Sequence, residues 1–348
     1  MDTSIIRFPG LGLEFDMPRV AFSVFGHNIY WYGIIIALGF VLAVSYGLKY
    51  CRKFGFTPDD LIDMLLVAVP VGVIGARAYF VIFHFDLYQD NFWDVLKIWN
   101  GGLAIYGGII GGLGSAAIVA LIKKIKPLAV LDIASIGYFI GQAIGRWGNF
   151  VNREAYGERT ALPWRMEIYN AAEGMRMSVH PCFLYESLWN ALGFVLLHFV
   201  SKRRKFDGQV FLLYLAWYGL GRSLIEPLRT DSLYLFNMTW FGEPVRVSQF
   251  LAILTCAVAV VLILITARRE HDPANMQVSI FEAKLAAEAV SEEVSTEAEL
   301  PLENMEDNSD DAPDQIAAED KYIPAESDSD PEEHIETENP ATEDDKED

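Results

Sequence analysis

The chain has 348 residues and a formal net charge of -20, yet 52% of its residues are hydrophobic. Residues 270–348 hold 28 Asp or Glu against Lys284, Lys321 and Lys346, a net of -25, while residues 1–269 carry 24 basic and 19 acidic residues, a net of +5. An apolar, mildly basic body with an acidic tail excludes one uniform soluble globule, and the small net charge of the body leaves no electrostatic footprint for nucleic acid.

The N-terminal residues lack the basic-then-apolar-then-small order of a cleaved signal peptide, so the first long apolar run is expected to be kept as a span. Seven stretches approach the ~20 apolar residues that cross a bilayer. They lie at about 30–49, 61–83, 103–122, 128–147, 182–200, 208–226 and 247–267. The fold expected is therefore an all-α integral membrane protein with seven transmembrane helices. Basic clusters at 49–55, 123–126, 201–205 and 267–270 follow spans one, three, five and seven, whereas 84–94 has no basic residue. The positive-inside rule places those clusters in the cytoplasm and the N-terminus outside, with a cytoplasmic C-terminus. Two domains follow: a seven-span catalytic domain over 1–269 and an acidic tail over 270–348. The tail is poor in aromatics and rich in Glu, Asp, Ser, Pro and Ala, a disordered composition, with a short helix possible over 278–290.

The glycines of span three, over 101–115, let membrane helices approach closely, and the run has no GK[ST] ending for phosphate binding. Cys51, Cys182 and Cys256 are odd in number and far apart. Without metal-ligand spacing they read as small buried hydrophobes, and no metal or other cofactor is expected.

Charged groups inside spans cost roughly 2.5–3.5 kcal/mol each at a helix centre, so their positions carry information. Arg77 lies late in span two, Arg146 ends span four, and Arg222 and Glu226 lie near the end of span six. His180, Tyr185 and Glu186 open span five, Tyr30 and Tyr32 open span one, and Tyr106 lies early in span three. With alternating spans, all fall at the outer level. Tyr218, Arg222, Glu226 and Arg229 share one helical face, and Pro227 ends or kinks that helix. A second polar set, Arg146, Asn149, Asn152 and Glu154, follows span four, with Gly145 and Gly148 allowing close approach. Guanidinium groups recognise phosphate through paired, charge-assisted hydrogen bonds, which suits a phospholipid headgroup. A transporter or flippase for an anionic lipid is the rival reading, but the polar groups sit at one side and no inverted repeat is visible.

These segments together resemble the prolipoprotein diacylglyceryl transferase family of bacteria. The resemblance rests on GRWGNFVNREAYG (145–157), supported in order by YWYG (30–33), GARAYF (75–80), GGLAIYGG (101–108), HPCFLYE (180–186) and YGLGRSLIEPLRTD (218–231). It covers about residues 20–267 and implies a multi-pass enzyme of the bacterial plasma membrane. The implied reaction moves the diacylglyceryl group of phosphatidylglycerol to the lipobox cysteine thiol of a prolipoprotein signal peptide, giving a thioether and glycerol phosphate. On the family pattern Arg146 and Arg222 are tied most closely to activity, with Tyr106 and Glu154 beside them. Asn149, Glu154, Gly157, Tyr32, Tyr218 and Glu226 match positions the family uses around the two arginines, and Asn152, Arg77 and His180 are further candidates for binding phosphatidylglycerol. Some members carry His where this chain has Tyr106, whose unperturbed pKa near 10 makes it a poor base. Either Tyr106 only hydrogen-bonds the headgroup, or His180 or Glu154 takes the proton, or no dedicated base is needed.

Overall fold

Thr57 begins the second helix by reciprocal capping: its Oγ1 accepts from the Asp60 amide at 3.1 Å, while its own amide donates to Asp60 Oδ2 at 2.9 Å. Pro58 fills the first helical position, where no amide is needed. In the computed structural model, residues 4–89, 91–170, 173–240 and 243–298 are described. The first of two compact units runs from Met1 to Ser295. Its helices are α1 (Trp31–Tyr50), α2 (Pro58–Phe83), α3 (Ile105–Ile122), α4 (Pro127–Asn152), α5 (Cys182–Ser201), α6 (Gln209–Ile225), α7 (Val247–Ala267) and α8 (Gln277–Ala298).

All seven expected stretches are helical, and six are long and apolar enough to cross a membrane. The sixth stretch gives α6, the shortest at 17 residues, because Pro227 forces a 3-10 turn over Glu226–Leu228. The short helix expected at 278–290 is longer, as α8. It is anchored by buried Gln277, whose Nε2 donates to the Gly55 carbonyl at 3.0 Å. The rest of the tail expected to be disordered lies outside the described residues.

Small residues set the helix contacts. A Cβ on Gly75 would sit 2.5 Å from the Gly107 carbonyl oxygen, and one on Gly107 2.2 Å from that of Gly75, so α2 and α3 touch backbone to backbone. Gly148 leaves room for the Tyr32 ring, and Gly219 for the α7 backbone at Ala252. Between α5 and α6, Trp189 and Trp217 stack at 4.4 Å. Each indole donates to the other's carbonyl, at 3.0 and 3.1 Å.

Among the described residues, eight short strands, which the hydropathy of the sequence did not reveal, lie in the segments before and between the helices. Strands β1 (Ile5–Phe8), β2 (Leu13–Asp16), β5 (Met166–Asn170) and β6 (Met175–Val179) form an antiparallel sheet in the order β2-β1-β5-β6. Strands β3 (Val20–Val24) and β4 (His27–Tyr30) make a hairpin leading into α1, and β7 (Tyr234–Trp240) and β8 (Glu243–Arg246) another leading into α7. Ile6, Met166, Ile168 and Val179 of the sheet pack on Phe150, Val151 and Phe183 at the ends of α4 and α5. Arg153 closes α4 in the left-handed region, at φ 54°. Its Nη1 donates to the carbonyls of Ser4 and Met17, both at 2.9 Å, which ties the N-terminal hairpin to the helix end.

Candidate active site

The ends of α4 and α6 meet the start of α5, and the residues that meet there are ionic. Glu186, on the first turns of α5 and 5% exposed, receives three guanidinium groups. Arg146 Nη2 lies 2.6 Å from its Oε2, while Arg222 Nη1 and Arg229 Nη1 lie 3.3 and 3.0 Å from its Oε1. Arg222 also pairs with Glu226, Nη2 to Oε2 at 2.6 Å, an ion pair without hydrogen-bond alignment. Ser232 Oγ donates to the other oxygen of Glu226 at 2.9 Å. Three arginines and the carboxylates of Glu186, Glu226 and the more exposed Asp231 thus balance in charge, which is how five of these six ionised groups persist at low exposure.

The three arginines are not equivalent. Arg229 is gripped by Asp231 through Nε at 2.9 Å and Nη2 at 2.6 Å, and its third bond goes to Glu186. Burial lowers the Arg229 pKa, but the pairing with Asp231 and Glu186 outweighs it and the net shift is upward. Asp231 responds in kind: burial raises it, and the bonds from Arg229 bring it below the usual carboxylate range. Among the described residues, Arg146 and Arg222 each keep uncommitted N–H donors, since a guanidinium has five and their contacts engage Nη1 and Nη2 alone. Of the three arginines of the cluster, those two have donors to offer an anion.

Around Arg146 the polar set expected from the sequence forms one chain of bonds. Arg146 Nη1 donates to Asn149 Oδ1 at 3.4 Å, and the side-chain amides of Asn149 and Asn152 donate to Glu154 Oε1 at 3.0 and 3.2 Å. Glu154 is exposed and accepts from both amides. Tyr32 packs against Gly148, and Tyr218 lines a small cavity with Glu186, Trp189, Asn190, Gly221 and Arg222.

Other expected site residues have different surroundings. Arg77 is buried, and its donors go to the carbonyls of Val95, Asp94, Gly101 and Gly102 at 2.7, 2.6, 2.7 and 2.9 Å. It holds the α2–α3 connection together and makes no bond to the Arg146 cluster among the described residues. Gly157 is buried; a Cβ there would meet His180 Cβ at 2.6 Å and Cys182 Sγ at 2.7 Å, so close packing alone requires glycine. His180 Nδ1 lies 3.3 Å from the Tyr185 hydroxyl, which accepts from Trp164 Nε1 at 2.8 Å. Tyr106 is 55% exposed on the first turn of α3, its ring 6.3 Å from that of Tyr79. Sequence reasoning saw Glu186 as a polar residue at the right level but not as the hub. Ser232 and Arg246 were missed, because their contacts depend on how the chain folds back after Pro227. Arg246 Nη1 donates to the carbonyls of Glu226 and Arg229 at 2.6 and 2.7 Å.

A family model described as prolipoprotein diacylglyceryl transferase matches residues 19–265. The chain belongs to that family. A phosphatidylglycerol–prolipoprotein diacylglyceryl transferase of Finegoldia magna is 44% identical over 247 residues, 71% of this chain and 94% of the relative. Proteins of the same name in Clostridioides difficile and Oceanobacillus iheyensis are each 41% identical. They cover 68% and 71% of this chain and 91% and 87% of their own lengths. The matched region contains the whole ionic cluster, whereas α8 falls beyond it.

Proposed function

We propose that this transferase moves the diacylglyceryl group of phosphatidylglycerol onto the thiol of a lipobox cysteine in a prolipoprotein signal peptide. The observation that carries the reading is the pair Arg146 and Arg222, both with donors to spare, converging on one buried carboxylate. The thiolate attacks the glyceryl carbon, a C–S bond forms, and the C–O bond to phosphate breaks with its electron pair leaving on oxygen. Glycerol phosphate departs. Guanidiniums on that phosphate neutralise the charge that develops on the leaving oxygen, which lowers the barrier more than it tightens the ground state. A thiol with an ordinary pKa near 8.5 ionises more readily beside positive charge. The proton passes to Glu154, to His180 or to water; Tyr106 fits better as a hydroxyl donor to the headgroup than as a base.

Six apolar spans support a multi-pass membrane protein, and we read α6 as a seventh crossing, shortened by Pro227. The end opposite the arginines supports the orientation read from the sequence. There Lys123 pairs with Asp60 at 2.8 Å, Arg204 donates to the Lys53 carbonyl at 2.6 Å, and α8 docks at Gly55. Basic loops gathered at that end favour the cytoplasm, which supports our reading of the arginine cluster as lying at the outer level of the plasma membrane.

The test is purified full-length protein with labelled phosphatidylglycerol and a lipobox peptide. Label should appear on the peptide cysteine and glycerol phosphate should be released in equal amount. No transfer, under conditions where a relative is active, overturns the reading. In the same assay Tyr106→Phe should keep activity within about tenfold of the parent protein, because one hydrogen bond of a neutral donor contributes only about 0.5–1.5 kcal/mol. Complete loss would give Tyr106 an essential role instead.

A further inference from the structure

At the end of the bundle remote from the arginine cluster, α1 and α5 do not close on each other. A groove of about 520 Å³ lies between them, floored by Tyr46, Tyr50, Phe194 and Phe199 and edged by Val195 and Lys49. Lys49 is ~26 Å along α1 from Tyr32, and His198 ~18 Å along α5 from Glu186, at 1.5 Å per residue. The groove is therefore separate from the candidate active site. Inside it the Tyr46 hydroxyl and His198 Nδ1 lie 2.9 Å apart, a polar pair in an aromatic wall.

Lys49 lines the groove, and Lys53 and Lys202 sit against two of its rings, Tyr50 and Phe199. Lys49 ends α1, Lys53 lies in the 3-10 turn that follows, and Lys202 caps α5. Each rests on a ring: Lys49 and Lys53 are 5.7 and 5.1 Å from the centroid of Tyr50, and Lys202 is 4.7 Å from that of Phe199. Among the described residues none of the three has a carboxylate partner, in contrast to Lys123 with Asp60 and Asp63 and Lys126 with Asp207. A basic residue at a helix C-terminus is common in itself, since it faces the negative end of the dipole. Dipole complementarity and the cytoplasmic bias of basic residues account for positive charge at this end, but not for its arrangement, in which three ammoniums without a carboxylate rest on the rings of one apolar trough. We propose that this groove is a second lipid site, which holds one membrane phospholipid of anionic headgroup. An acyl chain lies along the aromatic floor, and the phosphate is met by Lys49, Lys53 and Lys202. An apolar trough ending in uncompensated positive charge has the chemistry of such a lipid and of neither a neutral lipid nor a basic peptide.

The inference is independent of the proposed reaction, and its test does not use transfer as the binding readout. The full-length protein, in detergent with phosphatidic acid, phosphatidylcholine or inorganic phosphate as separate probes, is examined by native mass spectrometry. The parent protein should hold phosphatidic acid at both sites, and the Arg146→Ala/Arg222→Ala variant, whose outer site is disabled, should still retain one. The Lys49→Gln/Lys53→Gln/Lys202→Gln variant should bind it roughly 100-fold more weakly, with one charge lost at each of three positions. Val195→Trp, which fills the trough without changing charge, should weaken it as well. Transfer activity in the lysine and Val195 variants shows that they are folded. Phosphatidic acid retained by the lysine variant in the same number of copies as by the parent protein overturns the site. Equal retention of phosphatidylcholine overturns the anionic selectivity. Displacement by millimolar inorganic phosphate overturns the lipid assignment in favour of a simple anion site.

Discussion

Arg146→Ala should lower diacylglyceryl transfer about 10³-fold, the upper range for removal of one donor that stabilises charge in a transition state. The protein should still insert and fold. The geometry explains why: Glu186 would keep Arg222 and Arg229 at 3.3 and 3.0 Å, so no buried carboxylate is stranded. Arg222→Ala should cost as much activity but also stability, because Glu226, 1% exposed, loses the guanidinium at 2.6 Å. Breaking a buried pair from one side costs about 3–5 kcal/mol. The two variants therefore separate on thermal unfolding in detergent while matching in the transfer assay. Arg222→Lys should recover the stability and little of the rate, since a single ammonium cannot span Glu186 and Glu226 and still present a fork to phosphate. Wild-type transfer by Arg146→Ala would remove the arginine pair from the mechanism.

The helices were legible because burial in lipid leaves a coarse signal: twenty apolar residues, then charge. Even α6 was visible, and Pro227 marked its end correctly. The strands were not. Ile5–Phe8 and Met166–Asn170 are four and five residues long, and what makes them strands is pairing across more than 150 positions, Arg7 opposite Glu167. Nothing local encodes that. The site divides in the same way. Arg146, Asn149, Asn152 and Glu154 lie within nine positions, so their spacing alone grouped them, as the chain of bonds from Arg146 to Glu154 reflects. Arg77 shows the opposite. A charge deep in a span looked like a ligand donor, but Gly101 and Gly102, at φ 86° and 74°, turn their carbonyls onto it instead. An intramembrane arginine signals an expensive group that must be satisfied, and its sequence position does not say whether substrate or backbone satisfies it.

Glu186→Gln is the more searching variant, because it keeps the shape of the hub and removes its charge. Three guanidiniums that now share one carboxylate would face a neutral amide, and either the contact at 2.6 Å or both of those at 3.0 and 3.3 Å would become N–H against N–H. Arg229 is retained by Asp231 and Arg222 by Glu226, so the group displaced first should be Arg146, with Arg222 losing the second of its two anchors. The consequences for binding and rate run in opposite directions. With one carboxylate gone the cluster gains net positive charge, and an anionic headgroup should bind at least as tightly, so KM for phosphatidylglycerol should hold or fall. With the guanidiniums no longer aimed, the interaction specific to the departing phosphate is lost, and kcat should fall about 10²-fold. A purely structural role for Glu186 predicts something else: less folded protein with unchanged kcat per folded molecule. Steady-state kinetics normalised to the folded fraction separate the two. A kcat equal to that of the parent protein would mean that Glu186 holds the helices together and leaves the arginines to aim themselves.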